Sequence, residues 1–285
     1  MSHRFWERLE EGILVCDGAM GTMLYEKGVP KGHCYDELNL SRPDTVRDIH
    51  SAYLAAGAEI VETNTFGANR VILQRYYDLG DRVKEINYQG ARIATGVAKG
   101  SFVAGSVGPL SRPFESLLRP SLEEMQRVFV EQMEPLLEGG VDLLILETFS
   151  DLEEMEQAFL AAKSLTDLPV ICQMTFLPEG KTLSGVGPIQ FAKRLTEIGA
   201  PVLGANCCRG PQDVLDAITD IGKASPVRLS AQPNAGLPSF SNGKFVYPST
   251  PEYFAHYARK YVEIGASIVG GCCGSTPEHI KAISE

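Results

Sequence analysis

The chain has 285 residues, of which 44% are hydrophobic and 22% charged, and its formal net charge is −10. This composition is ordinary for a globular protein with a sizeable core, and the acidic balance disfavours a nucleic-acid-binding surface. The charged N-terminal residues lack the apolar segment of a secretory signal, and no run of roughly 18 apolar residues predicts a membrane span. We therefore expect a cytoplasmic protein with neither a nucleic-acid nor a membrane partner.

Eight short apolar segments follow one another along the chain. They span residues 13–19, 59–66, 102–108, 143–149, 170–176, 201–208, 227–234 and 267–274. Most are almost continuously apolar, as expected of parallel strands that are covered on both faces. These segments predict eight strands of one sheet.

Amphipathic stretches with helical periodicity lie between the strands. They span residues 45–58, 83–99, 122–140, 151–165, 189–200, 211–224 and 251–266. Several end in Gly-Ala or Gly-Gly just before the next strand, where a helix C-cap belongs. Eight alternations of strand and helix predict an α/β fold, a (β/α)8 TIM barrel, as one domain over residues 1–285. A doubly wound open sheet is the alternative, which the count of eight and the lack of a GxGxxG after the first strand disfavour.

Three segments depart from this simple alternation. Residues 20–43 and the proline-rich residues 233–251 are predicted to be loops at the top of the barrel. The last helix begins at Ser275 or Thr276 and reaches Glu285 after roughly two turns. Such a short closing helix indicates either a fragment of a longer protein or completion of the helix by another element.

Polar residues follow the predicted strands at the end of the barrel where catalytic side chains lie. We expect Asn64, Thr65 and Ser106 to contact a substrate. Asp17 and Glu147 either cap the elements that follow them or hold a cationic amine on the same rim.

Seven cysteines, an odd number, argue against a disulfide framework in a chain without a secretory signal. Cys16, Cys34 and Cys172 are interpreted as core residues, and Cys208 as a further one. None of the five histidines lies at a predicted strand end, so no histidine is proposed as a metal ligand.

The remaining three cysteines lie at the ends of two strands that one other strand separates. Cys207 ends the sixth strand, and Cys272 and Cys273 end the eighth within a GGCCG sequence. Because neighbouring strands are about 4.8 Å apart, the three sulfurs can converge on one ion. Three thiolates with an open fourth position are typical of a catalytic zinc site, and glycines free the backbone to aim adjacent thiols at one point. A vicinal disulfide is the strained and rare alternative.

Five segments carry a resemblance to a known family. CDGAMGT (16–22), VETNTFGAN (61–69), ILETFSD (145–151), GANCC (204–208) and GGCCG (270–274) resemble the homocysteine S-methyltransferase family. The most similar branch is the N-terminal homocysteine-binding module of cobalamin-dependent methionine synthase, or of a fusion with a methylenetetrahydrofolate reductase-like domain. The resemblance runs in order over essentially the whole chain.

The resemblance implies roles for the metal-binding residues. Cys207, Cys272 and Cys273 match the family's zinc-binding cysteines. Asn234 resembles the residue that fills the fourth position of Zn2+ until substrate displaces it.

The resemblance also implies the substrate contacts. Asp17 and Glu147 match the carboxylates that bind the amino group of L-homocysteine, and the N–H groups of Gly18 and Ala19 match those that receive its carboxylate. Coordination by Zn2+ removes the thiol proton, so the bound thiolate can attack a methyl group without a general base.

The methyl donor is implied by the branch. Methylcobalamin would be presented by another domain or chain, on a cobalamin-binding or methyltetrahydrofolate-related partner. A small donor such as S-methylmethionine or betaine is the alternative, with Phe66, Tyr247 and Tyr253 as candidate aromatic contacts to its cation. Two further alternatives are a metal-free aldolase-type barrel, which wants a strand-end lysine that the sequence lacks, and a non-catalytic module that binds homocysteine or zinc.

Overall fold

A computed structural model of the chain describes residues 2–110, 120–241 and 244–285. Eight parallel strands form one sheet in the order β1-β10-β7-β6-β5-β4-β3-β2, and a bridge between Cys16 and Ile60 joins β1 to β2. The sheet therefore closes, and the predicted (β/α)8 barrel is confirmed. The strands are β1 (Leu14–Val15), β2 (Ile60–Glu62), β3 (Phe102–Val107), β4 (Leu143–Phe149), β5 (Val170–Met174), β6 (Val202–Cys207), β7 (Arg228–Pro233), β8 (Ser239–Ser241), β9 (Lys244–Val246) and β10 (Ala266–Val269).

Twelve α-helices lie within the described residues. They are α1 (Ser2–Glu11), α2 (Met20–Glu26), α3 (Leu38–Ser41), α4 (Pro43–Ala55), α5 (Arg70–Tyr77), α6 (Val83–Val97), α7 (Leu122–Glu138), α8 (Leu152–Leu165), α9 (Pro188–Glu197), α10 (Pro211–Ala224), α11 (Pro251–Glu263) and α12 (Pro277–Ser284). A 3-10 turn at Gly80–Arg82 precedes α6. The seven predicted helices and the short final helix are all present. None of the helices within the described residues is long and apolar enough to cross a lipid bilayer.

The predicted loops contain structure that periodicity did not reveal. The segment 20–43 holds α2 and α3, and the segment 233–251 holds an antiparallel hairpin of β8 and β9. Both segments connect a barrel strand to the helix that follows it, as barrel-top loops do, but each contains secondary structure that the sequence did not indicate. Helix α2 forms because it can bury Leu24 against the barrel, whereas the hairpin side chains of 239–241 remain exposed.

Every second side chain of each strand points into the barrel. These interior side chains are apolar at the bottom of the barrel and polar at the top. In β2, Ile60 faces the interior near the bottom, and Glu62, two residues later, faces it near the top. In β4, Ile145 and Glu147 repeat this arrangement. Helix α1 covers the bottom, where Phe5 is fully buried. Each such aromatic side chain contributes about 1.5–3 kcal/mol through burial. Apolar side chains therefore fill the bottom of the barrel, and the polar side chains of the interior lie at the top.

Candidate functional site

Three thiols converge at the top of the barrel. Cys207 ends β6, Cys272 and Cys273 follow β10, and their sulfurs all lie within 4.8 Å of one another. Cys207 takes a left-handed backbone conformation, with φ of 61°, which turns its side chain out of the regular pleat. The predicted convergence of these cysteines is therefore present in the structure.

Hydrogen bonds to both neighbouring strands hold the loop that carries the cysteine pair. The N–H of Gly271 donates to the carbonyl of Asp17 over 2.9 Å, and the N–H of Cys272 donates to the carbonyl of Pro233 over 2.8 Å. The carbonyl of Cys273 in turn accepts from the N–H of Ala235 at 2.9 Å. This pairing continues the sheet past the end of β10 and determines where the thiols lie.

The glycines around the pair act mainly through close approach. A Cβ on Gly270 would lie 2.8 Å from the Cβ of Cys16, and one on Gly271 would lie 2.7 Å from the Cβ of Ser275. Only Gly274 of these three has a left-handed conformation, with φ of 80°. The prediction that glycines free the dihedrals of the pair was therefore wrong for Gly270 and Gly271, which are needed because neighbouring atoms leave no room.

The three thiols are hydrogen-bonded to one another. Hydrogen bonds donated by Cys207 and Cys272 hold the pKa of the Cys273 thiol well below its usual value. The pKa of Cys272 lies well above its usual value because it donates to Cys207 and Cys273 and is buried. Three sulfurs that lie within 4.8 Å of one another suit a soft divalent cation, which displaces the thiol protons when it binds.

Asn234 lies beside the thiols with an unused acceptor. Its Nδ2 donates to the carbonyl of Cys208 over 2.7 Å, and its side chain also hydrogen-bonds to Cys207. Its Oδ1 is buried and has no hydrogen-bond partner among the described residues. Because an unpaired buried oxygen is costly, this atom suits a ligand or cation next to Cys207.

The other cysteines are buried, as the sequence predicted. Cys34, Cys172 and Cys208 pack in the core, and the Cys208 sulfur accepts from the N–H of Phe176 at 3.4 Å. Cys16 is also fully buried, but its thiol contacts the carboxylate of Glu62 over 3.4 Å. Cys16 therefore borders the polar top of the barrel as well as filling its core.

Two buried carboxylates lie on the same rim as the thiols. Asp17 is 2% exposed and accepts the N–H of Glu62 over 3.0 Å, while Glu147 is 9% exposed and accepts the hydroxyl of Ser106 over 2.5 Å. Burial raises the pKa of Asp17, and burial together with the negative charge of Glu62 raises the pKa of Glu147. Neither carboxylate caps a helix N-terminus in the structure, because α8 is capped by Asp151 and α2 follows Ala19 without a side-chain cap.

Glu62 is a third carboxylate that sequence reasoning did not assign to the site. Its Oε1 accepts from Nε2 of Gln232 over 2.7 Å, and its carboxylate also accepts a hydrogen bond from the protonated carboxyl group of Glu147. Burial raises the pKa of Glu62 to about 7, and the charge of Asp17 adds to this effect. Its position at the end of the second predicted strand was the signal that could have identified it.

Asn206 is a second unassigned residue, and it joins the carboxylates to the thiols. Its Oδ1 accepts the N–H of Thr148 over 2.8 Å, and its Nδ2 donates to Oγ1 of Thr148 over 2.7 Å. The same Nδ2 lies 3.3 Å from Glu147 and 4.0 Å from the sulfur of Cys272. These bonds hold Thr148 in a left-handed conformation, with φ of 62°, directly after Glu147.

The backbone predicted to receive a carboxylate lies against Ser275. The N–H of Ala19 donates to Oγ of Ser275 over 3.2 Å, and that hydroxyl donates to the carbonyl of Cys272 over 2.7 Å. A Cβ on Gly18 would lie 3.0 Å from the ring of Tyr53. The segment Gly18–Ala19 is thus held close to the thiol loop.

Asn64 and Thr65 make hydrogen bonds to the surrounding loops. Nδ2 of Asn64 donates to the carbonyl of Tyr35 over 2.7 Å, and the hydroxyl of Thr65 donates to the carbonyl of Ser106 over 2.8 Å. These bonds give both side chains a structural role on the rim. Their contact with a substrate stays a prediction.

The three candidate aromatic residues occupy different surroundings. Tyr247 packs on Gly274, and the neighbouring cysteines add to the burial that raises its pKa to about 12. Phe66 is 42% exposed and packs against Gly108. Tyr253 lines an open cavity of about 700 Å³ with residues of the β6 and β7 loops. No ring-to-ring contact joins any two of them within the described residues, and Tyr247 is the one that lies beside the thiols.

Comparison with solved structures agrees with the fold. The homocysteine methyltransferase MmuM from Escherichia coli matches in its oxidized and metallated forms with a TM-score of 0.80 and 23% identity. These matches cover 95% and 96% of this chain and 94% and 96% of the MmuM chains. At this identity the likeness shows a shared fold.

Comparison of sequences reaches the family. Methionine synthases of Mycobacterium leprae (strain TN) and Mycobacterium tuberculosis (strain ATCC 25618 / H37Rv) are 32% and 31% identical over 98% and 97% of the chain. The chain spans about a quarter of the length of these curated relatives, 24% and 25% respectively. The family model for homocysteine S-methyltransferase matches residues 14–285. The chain therefore belongs to the homocysteine S-methyltransferase family.

Proposed function

We propose that the chain is a zinc-dependent homocysteine S-methyltransferase, or the substrate-activating module of one, that converts L-homocysteine to methionine. The observation that carries this proposal is the placement of three convergent thiols and two buried carboxylates on one barrel rim. A thiol substrate with an amine on the same carbon skeleton matches both groups.

The donor set fits a zinc ion. Cys207, Cys272 and Cys273 would supply three soft sulfur ligands, and Oδ1 of Asn234, which lacks a partner among the described residues, would supply the fourth. Bound Zn2+ would act as a Lewis acid that lets a substrate thiol lose its proton at neutral pH. No residue is then required as a base on that thiol.

The protein's own groups would orient the substrate. Asp17 and Glu147 are buried, and an ammonium group between them would balance their negative charge. The free-energy cost of burying a carboxylate is far lower when it is paired with a cation than when it is unpaired. The hydrogen bond from Gly271 to the carbonyl of Asp17 fixes the separation between the amine site and the thiol loop. The carboxylate of the substrate would bind the N–H groups of Gly18 and Ala19, sharing the latter with Ser275.

Methylcobalamin on another domain or chain is the proposed donor, because the sequence resembles the homocysteine-binding module of cobalamin-dependent methionine synthase. The curated relatives are about four times as long as this chain, so their remaining length can hold such a donor-bearing domain. The partner would dock on the barrel rim, where the exposed Cys273 marks the accessible side of the thiol cluster.

A donor panel tests the proposal. Zinc-loaded protein is incubated with homocysteine and one of methylcobalamin, S-methylmethionine or betaine, and methionine is measured. Formation of methionine from methylcobalamin but from neither small donor is expected. Turnover with a small donor instead would assign a different donor, and no turnover with any of the three would favour a binding module.

A further inference from the structure

We propose that Glu62 is a third carboxylate of the amine-binding site, positioned by Gln232 and Gln173, and that it makes the site select thiols that carry a protonated α-amine. This inference rests on the proposed function and deepens it. Sequence and resemblance assigned only Asp17 and Glu147 to the amine.

Glu62 lies between the two carboxylates that were assigned. Its backbone N–H donates to Oδ2 of Asp17 over 3.0 Å, and its carboxylate accepts a hydrogen bond from the protonated carboxyl group of Glu147. A ligand oxygen of Glu62 also lies within 4.8 Å of one of Asp17. An ammonium group that touches Asp17 and Glu147 therefore lies within reach of Glu62, which keeps partial exposure at the mouth of the barrel.

A chain of two buried amides orients the Glu62 carboxylate. Nε2 of Gln173 donates to Oε1 of Gln232 over 2.7 Å, so the Gln232 amide must present its NH2 group to Glu62. Nε2 of Gln173, in β5, also donates to the hydroxyl of Ser230, in β7, over 2.7 Å, and this bond fixes the position of the Gln173 amide. Gln173 and Gln232 are 0% and 2% exposed, so both amides are shielded from competing water.

The charge balance of this cluster calls for a cation. Asp17, Glu62 and Glu147 form no ion pair with a lysine or arginine among the described residues. Burial is the largest cause of the raised pKa of each carboxyl group, and their mutual repulsion adds to it. An ammonium group entering this position relieves that repulsion, whereas a neutral substituent does not. The three carboxylates therefore favour a thiol that carries a protonated α-amine over a thiol that lacks the amine.

Isothermal titration of zinc-loaded protein with two matched thiols tests the role of Glu62. Homocysteine and 4-mercaptobutanoate differ only in the α-amine, so the ratio of their dissociation constants measures amine recognition. Glu62→Gln keeps the shape and the acceptor for Gln232 but removes the charge. We expect it to weaken homocysteine binding by about tenfold to a hundredfold, as for loss of a hydrogen bond to a charged group. Binding of 4-mercaptobutanoate and the zinc content are expected to stay unchanged.

Two further variants make the result specific. Glu154→Gln neutralises another buried carboxylate, one that lies in the first turn of α8 and accepts the N–H of Leu110, and is expected to leave the ratio unchanged. Gln173→Met removes the start of the amide chain and is expected to lose part of the preference, which keeps the test open if Glu62→Gln misfolds.

The outcomes separate this inference from the proposed function. A wild-type preference for homocysteine that Glu62→Gln retains in full, or an equal loss for both thiols, would overturn the role of Glu62 alone. Zinc-loaded wild-type protein that binds neither thiol would overturn the proposed function and this inference with it.

Discussion

The ring of Tyr247 lies directly on Gly274, the glycine that follows the cysteine pair. A Cβ on this glycine would lie 2.6 Å from Cδ2 of the tyrosine ring, and the residue has a left-handed φ of 80°. Tyr247 comes directly after β9, so this contact connects the β8–β9 hairpin to the thiol loop. Both space and backbone conformation therefore require glycine at this position.

Gly274→Ala is expected to destabilise the protein and to reduce its zinc content. The left-handed conformation costs about 1–2 kcal/mol for a residue with a Cβ, and overpacking against the ring adds about 1–3 kcal/mol. Gly140→Ala is the matched control, because Gly140 has φ of 91° but no atom within 4 Å of a built Cβ. Thermal unfolding and metal analysis of both variants measure the difference. Equal losses of stability in the two would show that the contact with Tyr247 is unimportant.

Cys272→Ala is expected to abolish stoichiometric zinc binding, because it removes one of three convergent ligands. Cys208→Ala is the control: Cys208 is adjacent to Cys207 in sequence, but its sulfur accepts from Phe176 and lies outside the cluster. Metal analysis of protein purified without added zinc is expected to give one zinc per chain for Cys208→Ala and for the wild type. Unchanged zinc content in Cys272→Ala would rule out the proposed ligand set.

Asn206→Ala is expected to cost about 2–3 kcal/mol of stability, because it removes two hydrogen bonds to Thr148 and one to Oε2 of the buried Glu147. It is also expected to weaken homocysteine binding, since Glu147 loses the hydrogen bond to its Oε2. Asn39→Ala removes a comparable buried amide, one that donates to the carbonyls of Asn64 and Ile86. Chemical denaturation and titration calorimetry distinguish the two variants. If both weaken homocysteine binding equally, Asn206 has no specific role at the site.

His50 is expected to make the folded state sensitive to acid. Its ring is fully buried in α4, neither nitrogen has a hydrogen-bond partner among the described residues, and burial lowers its pKa to about 4. In the unfolded chain a histidine has a pKa near 6.5. Between pH 6.5 and about 4 the unfolded state therefore binds a proton at His50 that the folded state does not bind. The contribution of His50 to stability is therefore present above pH 6.5 and is lost as the pH falls towards 4, by up to about 3 kcal/mol.

Removal of this histidine is expected to flatten the acid side of the stability profile. His50→Leu should lose less stability than the wild type between pH 6.5 and 4.5, as measured by urea denaturation at each pH. His256→Leu, a substitution at an exposed histidine, should retain the wild-type profile. A His50→Leu profile parallel to the wild type would contradict the assigned cause.

The barrel was predictable because its strands are continuously apolar and its helices amphipathic, and both patterns survive in the fold. Helix α1 was not predicted, although Phe5 and Leu9 have the i, i+4 spacing of a buried helical face. The hairpin β8–β9 could not be predicted in the same way, because the side chains of β8 are all exposed and carry no burial pattern.

The convergence of Cys207, Cys272 and Cys273 was predictable from residue type and strand position, but the backbone that presents these cysteines was not. Cys207 and Cys208 take left-handed conformations with φ of 61° and 53°. Non-glycine residues rarely adopt such conformations, so the sequence did not indicate them. Glu62 was visible at a strand end, yet its contacts with Asp17 and Gln232 depend on the closure of the barrel. Spatial neighbours that come from strands distant in sequence needed the structure.

X-ray absorption at the zinc edge, with and without homocysteine, tests the central claim most directly. The account predicts three sulfur ligands and one oxygen ligand in the free protein, with zinc–sulfur distances of about 2.3 Å. Addition of homocysteine is predicted to replace the oxygen by a fourth sulfur. A coordination shell that stays the same when homocysteine binds would contradict direct activation of the substrate thiol at this site.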